Sequence, residues 1–195
     1  MKTPECLPKE LLAQSTRIVT GFTKHGCMLG LSESVTGGMI ASFLSHVDGC
    51  SKILFASQVL YSIPGKSSFL DVSIEEIEAN GTVSEFIIAK MNECMARRFI
   101  KTLPSITGER PRSFISLAIC GVAGNGIENL PRGTVIIGMD TYALPDENIE
   151  EIVPARREME WYQFEGDRAA IILRASSQAL FWLGCVPFLS TETNN

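Results

Sequence analysis

The sequence has few of the residues that commonly bind metals, nucleic acids or membranes. Histidine occurs only at His25 and His46, and the six cysteines include no CxxC pair, so the usual spacings of metal ligands are missing. Seven lysines and ten arginines are scattered through a chain of net charge -5, which leaves no basic stripe for a phosphate backbone or an anionic lipid surface. We therefore expect no metal site, no nucleic-acid partner and no membrane partner.

Long apolar runs and a secretion signal are also missing. No uninterrupted apolar run reaches the roughly 20 residues that span a bilayer, and the opening segment MKTPECLPKELL contains no apolar signal core. We expect a cytoplasmic protein whose cysteines are mostly reduced and buried. Because 45% of the 195 residues are hydrophobic and 20% are charged, we expect one domain spanning 1–195 with a sizeable core.

The spacing of apolar residues predicts helices interleaved with strands. Helical spacing, with Ser84 and Asp167 as caps of the two later long helices, predicts helices at 9–25, 36–45, 73–78, 85–101 and 168–183. Apolar or alternating runs predict strands at 27–31, 53–61, 114–119, 134–139 and 149–164. Proline and glycine in Ile63-Pro64-Gly65 predict a turn that ends the second strand. This order predicts a layered α/β domain with a mostly parallel or mixed sheet.

Ligands of such folds collect where the C-terminal ends of strands meet the N-termini of helices. Polar or glycine-bearing segments occupy three such ends, at 32–38, 61–66 and 120–126. Gly65-Lys66-Ser67 is not a P-loop, because the leading glycine of that motif is replaced by Leu60. Gly124-Asn125-Gly126 is not a Rossmann fingerprint, because Asn129 replaces its third glycine. The glycines either shape these turns alone or also expose backbone amides to an anion.

The first of these segments contains a candidate nucleophile. Ser34 lies at a predicted strand-to-helix turn, where free backbone amides can stabilise the oxyanion formed when a serine attacks an amide or ester carbonyl. The alternative is that Ser34 or Thr36 only caps the following helix. The histidines lie at helix ends, which disfavours a histidine base. Lys66 is the candidate base in its uncharged form, and its alternative role is that of a solvated surface charge.

Six segments resemble the motifs of the CinA C-terminal domain family in their order and approximate spacing, over nearly the whole chain. They are SESVTGG (32–38), YSIPGK (61–66), NGTVSE (80–85), GVAGNG (121–126), RGTV (132–135) and FEGDR (164–168). The family includes the PncC nicotinamide mononucleotide (NMN) deamidases, which convert NMN to nicotinate mononucleotide and ammonia. Some members carry an additional N-terminal molybdopterin-binding-like domain, which this chain is expected to lack.

The resemblance implies a three-layer α/β/α sandwich that self-associates as a homodimer or higher homo-oligomer and uses no metal or organic cofactor. It assigns Ser34 as nucleophile and Lys66 as base, with an arginine that holds a phosphate or orients the centre at Arg168. The remaining residues that it places around the substrate are Thr36, Gly37, Gly38, Tyr61, Cys120, Gly121 and Gly124.

This chain differs from the family pattern close to the implied centre. Ile63-Pro64-Gly65 replaces Asn-Glu-Ala before the lysine, Cys120 replaces a hydroxyl residue, and Asn125 replaces a proline in a loop that is shorter and more apolar. The leading hypothesis is an NMN amidohydrolase of pyridine nucleotide salvage. The alternatives are a catalytically impaired paralogue that binds a nucleotide or a protein partner, and a hydrolase of another small amide.

Overall fold

Helices and strands alternate along the chain in the computed structural model, which describes residues 8–106, 109–127, 129–144 and 153–187. The helices in these ranges are α1 (Lys9–Lys24), α2 (Met39–Ser45), α3 (Ile63–Leu70), α4 (Ile74–Asn80), α5 (Glu85–Thr102) and α6 (Arg168–Gly184). The strands in the same ranges are β1 (Cys27–Glu33), β2 (Leu54–Val59), β3 (Ser113–Gly121), β4 (Thr134–Ala143) and β5 (Arg156–Gln163).

The five described strands form one mixed sheet in the order β2-β1-β3-β4-β5. β1 pairs in parallel with both β2 and β3, whereas the β3–β4 and β4–β5 pairs are antiparallel. Helices connect β1 to β2 and β2 to β3, as parallel crossovers require. The predicted α/β class is confirmed, and the antiparallel half makes the sheet mixed.

Helices cover both faces of the sheet, so the predicted three-layer sandwich is also confirmed. One core contains residues of α1, α2 and α6 together with Leu29, Leu117 and Ile137. The opposite core joins α3, α4 and α5 to Ala118 and Ile136. Successive residues of a strand point to opposite faces, and β3 supplies both cores. This explains why its sequence is apolar from Phe114 to Cys120 except at Ser116, whose hydroxyl donates a hydrogen bond to Asn92 Oδ1 at 2.8 Å.

Local capping explains where several helices begin. Ser84 accepts a hydrogen bond from the N–H of Ile87 at 3.2 Å, and Asp167 accepts one from Ala170 at 2.9 Å. Each bond satisfies one of the N–H groups that the first turn of a helix leaves without a partner. The two predicted caps, and the long helices that follow them, are confirmed.

The structure corrects the prediction for Ile63-Pro64-Gly65, which form the first turn of α3 rather than a strand-ending turn. Ser62 caps this helix by accepting a hydrogen bond from Gly65 N–H at 3.2 Å. Proline fits there because the first helical N–H groups need no intrahelical acceptor. Other boundaries also move: β1 extends through Glu33, α2 begins only at Met39, β4 continues to Ala143, and the described part of β5 begins at Arg156. Residues 149–152 of the predicted last strand lie outside the described residues.

The fold places three element ends at one edge of the sheet. β1 ends at Glu33, immediately before Ser34, and β3 ends at Gly121. α3 begins at Ile63, after the end of β2. The three segments singled out in the sequence therefore meet at one edge. Within the described residues, no helix combines the length and apolar character needed to cross a membrane.

Candidate active site

Ser34 and Lys66 meet at the bottom of a cleft at this edge. Ser34 follows β1, and its N–H donates to the carbonyl of Ile119 on β3 at 3.0 Å. Lys66 lies on α3, and its Nζ donates a hydrogen bond to Ser34 Oγ at 3.2 Å. The two residues are only 7% and 4% exposed. Lys66 is therefore not a solvated surface charge, and Pro64 does not prevent its side chain from reaching the serine.

The cleft opens above this pair as a cavity of about 500 Å³, a volume typical of small-molecule sites. Six of the residues predicted for the site line it: Ser34, Tyr61, Lys66, Gly121, Gly124 and Arg168. The other lining residues were not assigned to the site from the sequence, although Ile63 and Asn125 were noted close to it; they are Val35, Ser62, Ile63, Thr82, Val83, Val122, Ala123, Asn125 and Ile127. Most of them adjoin a predicted residue along the chain, and that adjacency is the signal that could have found them.

Arg168 and Tyr61 form a polar pair in the cavity wall. Arg168 is the first residue of α6, and its Nη2 donates a hydrogen bond to the hydroxyl of Tyr61. A Cβ added to Gly124 would lie 3.2 Å from Arg168 Nη1, so the guanidinium packs against the Gly124 backbone. Tyr61 is 56% exposed, which puts the pair at the solvent side. A positive charge with free donors in that position can bind an anionic group of a ligand.

The Thr36-Gly37-Gly38 turn lies behind Ser34. Gly37 and Gly38 adopt φ values of 61° and 95°, in the left-handed region that glycine adopts without strain. Gly37 N–H donates to the Ser34 carbonyl at 3.0 Å, which closes the turn. These three residues do not line the cavity. Their predicted contact with substrate stays a prediction, whereas their effect on the shape of the turn is visible.

Glu33 caps α2, a role that the sequence analysis missed. Its fully buried carboxylate accepts hydrogen bonds from the N–H groups of Gly38, Ile40 and Ala41 at 3.0, 3.1 and 3.0 Å. Among the described residues, no side-chain hydroxyl caps this helix. Thr36 Oγ1 has no hydrogen-bond partner there, and Ser34 Oγ accepts its hydrogen bond from Lys66. The alternative that Ser34 or Thr36 only caps the helix is therefore wrong.

Two backbone amides beside Ser34 remain available. The N–H groups of Val35 and Thr36 donate to no protein acceptor among the described residues. The carboxylate of Glu33 accepts hydrogen bonds from the N–H groups of Gly38, Ile40 and Ala41. The N–H groups of Val35 and Thr36 are therefore the donors without an acceptor that lie nearest to Ser34 along the chain. Paired amides next to a nucleophile are the usual composition of an oxyanion hole.

Glu33→Gln should destabilise the protein by about 2–4 kcal/mol, because an uncharged amide cannot replace a carboxylate that accepts several N–H groups. The free energy of unfolding in urea measures this effect. Glu78→Gln is the matched control, since Glu78 is exposed near the end of α4. Equal free energies of unfolding for Glu33→Gln and the wild type would show that Glu33 does not hold α2 and the Ser34 turn together.

Cys120 lies beside the Ser34–Lys66 pair without lining the cavity. Burial raises the pKa of the Cys120 thiol, while the charge of Lys66 and a hydrogen bond with Ser34 act in the opposite direction. Its Sγ lies 3.4 Å from the sulfur of Met91 on α5, in the core between the sheet and that helix. The thiol is therefore protonated at neutral pH. Its predicted contact with substrate stays a prediction.

The cysteines should differ in their rates of alkylation. Burial raises the pKa of Cys27 to about 12 and also that of Cys120, whereas Cys185 is exposed after α6. Because the thiolate is the reactive form, iodoacetamide at neutral pH should modify Cys185 in the folded protein long before Cys27 or Cys120. Peptide mapping by mass spectrometry gives the order. Modification of Cys120 as fast as Cys185 would contradict the burial of this thiol.

No group of three or more His, Cys, Asp or Glu side chains within the described ranges could hold a metal ion.

Comparison with known proteins identifies a family that covers nearly the whole described chain. The family model of the CinA C-terminal domain matches residues 12–186, which include every site residue discussed above. A CinA-like protein of Syntrophotalea carbinolica is 30% identical over 164 residues, covering 83% of this chain and 34% of that protein. The chain thus spans about a third of the length of this relative.

Two crystal structures share the fold. The competence/damage inducible protein CihA from Agrobacterium tumefaciens is 24% identical with a TM-score of 0.72, and the match covers 95% of this chain and 98% of that one. A CinA superfamily protein from Klebsiella pneumoniae is 24% identical with a TM-score of 0.70, over 89% and 95% of the two chains. The family match over nearly all described residues decides the assignment. The chain belongs to the CinA C-terminal domain family.

Proposed function

We propose that this protein is an amidohydrolase that converts NMN to nicotinate mononucleotide and ammonia. The observation that carries the proposal is the buried hydrogen bond between Lys66 Nζ and Ser34 Oγ, 3.2 Å long, at the bottom of a cavity. The resemblance of its motifs to those of the NMN deamidases supplies the substrate. A cytoplasmic location and a role in pyridine nucleotide salvage belong to the same proposal.

The proposed reaction has two halves. Lys66, in its uncharged form, accepts the proton of Ser34 while Oγ attacks the carboxamide carbon. The N–H groups of Val35 and Thr36 stabilise the resulting oxyanion. The C–N bond then breaks, and Lys66 returns the proton to the leaving nitrogen, which departs as ammonia. In the second half water attacks the acyl-enzyme while Lys66 accepts its proton. The C–Oγ bond then breaks, Lys66 returns that proton to Ser34 Oγ, and the product acid leaves as its carboxylate after releasing its own proton to solvent.

The polar pair at the cavity mouth would orient the substrate. Arg168, held by Tyr61 and by contact with Gly124, would bind the phosphate of NMN through charge-assisted hydrogen bonds. A Cβ at position 124 would make the guanidinium of Arg168 shift by a few tenths of an ångström. The nucleotide would thus lie with its carboxamide at the buried serine and its phosphate near solvent.

The experiment that tests the proposal is an assay of purified protein with NMN for ammonia and nicotinate mononucleotide. The proposal predicts both products in equal amounts. A rise in melting temperature with NMN, without either product, would favour the binding-protein alternative, because a ligand stabilises the folded state that binds it. Turnover of another carboxamide but not NMN would keep the chemistry and change the substrate.

Self-association as a homodimer or higher homo-oligomer is also part of the proposal, on the strength of the family resemblance. The edge strands β2 and β5 and the exposed Phe181 of α6, 56% accessible, are surfaces that such an assembly could cover. Light scattering after size exclusion should give at least twice the chain mass of 21.3 kDa. A mass equal to that of one chain would contradict this part of the proposal.

A further inference from the structure

A second cavity lies between the last turn of α6 and the strands β4 and β5. Its volume is about 350 Å³, and it shares no lining residue with the cavity above Ser34 and Lys66. Phe181 lines it and is 13 residues beyond Arg168 in α6, a spacing of about 20 Å along a helix. A ligand in this second cavity would therefore not touch the candidate catalytic centre.

The inner wall of the second cavity is apolar and aromatic. Met139 and Val186 are buried in the core that contains residues of α1, α2 and α6, and Trp182 packs against the same core. Phe181 adds an exposed ring at the edge of the cavity. Aromatic rings present a negative face, so such a wall favours a ligand that combines an apolar body with a positive charge.

The polar wall comes from β5, where Glu158, Glu160 and Tyr162 share one face of the strand. Trp182 Nε1 donates a hydrogen bond to the Tyr162 hydroxyl at 2.8 Å, and that hydroxyl donates to Glu160 Oε2 at 2.6 Å. Burial and the hydrogen bond to Glu160 raise the pKa of Tyr162, so the hydroxyl keeps the proton that it donates. The chain of donors thus ends at the Glu160 carboxylate, which lines the cavity and can only accept further hydrogen bonds.

Glu160 also gives the second cavity an excess of one negative charge. Arg156 and Glu158 line the cavity as well, and they form an ion pair at 2.7 Å. Within the described part of the chain, no Lys, Arg or His side chain forms an ion pair with Glu160. A carboxylate binds the N–H groups of a cation more strongly than those of a neutral donor. The cavity therefore favours a positively charged donor.

We propose that the second cavity is a binding site for a small organic ammonium ion with an apolar body. The N–H groups of the ligand donate to the Glu160 carboxylate, and its apolar body lies against Phe181 and Trp182. A neutral ligand of the same shape binds more weakly, because it leaves the charge of Glu160 without a partner. This site is separate from the proposed hydrolysis and does not depend on it.

The test compares 2-phenylethylamine, a cation at neutral pH, with 2-phenylethanol, which has a similar shape and no charge. The chain contains two tryptophans, so Trp161→Phe leaves only Trp182 to report binding in a fluorescence titration. In this parent variant the amine should bind about fivefold more tightly than the alcohol. Adding Glu160→Gln should reduce the ratio of the two affinities to less than about twofold. Adding Phe181→Ala to the parent should weaken both ligands, because both lose contact with the ring.

Glu78→Gln is the matched control, because Glu78 is exposed near the end of α4, a helix that packs on the other face of the sheet. It should leave both affinities unchanged. A melting temperature close to that of the parent confirms that Glu160→Gln is folded. Equal affinities of the parent for amine and alcohol, no binding of the amine, or an unchanged ratio in Glu160→Gln would overturn the inference. Loss of the amine preference in Glu160→Gln alone supports it, whether or not the protein hydrolyses NMN.

Discussion

Ser34→Ala is expected to reduce the hydrolysis of NMN by roughly 10⁴-fold or more, because removal of a catalytic nucleophile costs several powers of ten in rate. The loss should appear in kcat, since the cavity and Arg168 remain to bind the substrate. The folded state should persist, because the substitution removes one hydroxyl whose partner is Lys66. Ammonia release with a coupled dehydrogenase assay measures the rate, and circular dichroism checks the fold.

Ser45→Ala is the matched control for this prediction. Ser45 is exposed at the end of α2, eleven residues beyond Ser34, and its hydroxyl donates only to the carbonyl of Ser42. Its replacement should leave the rate unchanged. Full activity in Ser34→Ala would exclude the serine as nucleophile and would require another group in the cavity to attack the amide.

Lys66→Met is expected to lower kcat by a similar factor, because the straight side chain keeps the volume of lysine but cannot accept a proton. Stability should be maintained or should rise. The reason is that Lys66 is 4% exposed, and a buried amine is less favourable in an apolar environment than a thioether of similar size. The combination of lost activity with unchanged or higher stability is typical of a residue retained for function.

Lys101→Met, at an exposed lysine in the last turn of α5, controls for the loss of one positive charge. It should retain normal kcat. Retention of more than about a tenth of the wild-type kcat by Lys66→Met would contradict the role of Lys66 as the base, because general-base removal typically costs 10²–10⁴-fold. A large drop in melting temperature would instead show that the lysine is needed for packing.

The two helices that begin at a capping side chain, α5 and α6, could be predicted from the sequence. Ser84 and Asp167 cap α5 and α6 through bonds to N–H groups three residues later. Such contacts depend on neighbours in the chain and on side-chain chemistry, so the sequence carries them directly. The apolar run in β3, interrupted only at Ser116, likewise indicated a strand covered on both faces.

The start of α3 could not be predicted in the same way. Proline and glycine in Ile63-Pro64-Gly65 end a strand as readily as they open a helix, and the choice depends on whether Ser62 caps the next turn. This choice matters for the site, because only the helix places Ile63 and Lys66 on one face. The antiparallel pairing of β4 and β5 was equally open, since it depends on which neighbour each strand meets.

The role of Glu33 depends on tertiary structure. An isolated glutamate before a serine carries no local signal, and its function appears only when α2 packs so that three N–H groups meet the carboxylate. The contact between Ser34 and Lys66, 32 residues apart in the chain, was likewise implied by family resemblance and not by spacing. Thr82 and Val83, which line the cavity but adjoin no predicted site residue along the chain, could be found only from the fold.

The most direct test of the account is to locate the acyl group during turnover. The reaction of the protein with NMN is quenched in acid within the first turnovers, and the protein is digested and mapped by mass spectrometry. A nicotinate mononucleotide acyl group is expected on the peptide that contains Ser34, and none is expected in Lys66→Met. Hydrolysis of NMN with the acyl group on another residue, such as Cys120, would contradict the role of Ser34 as nucleophile.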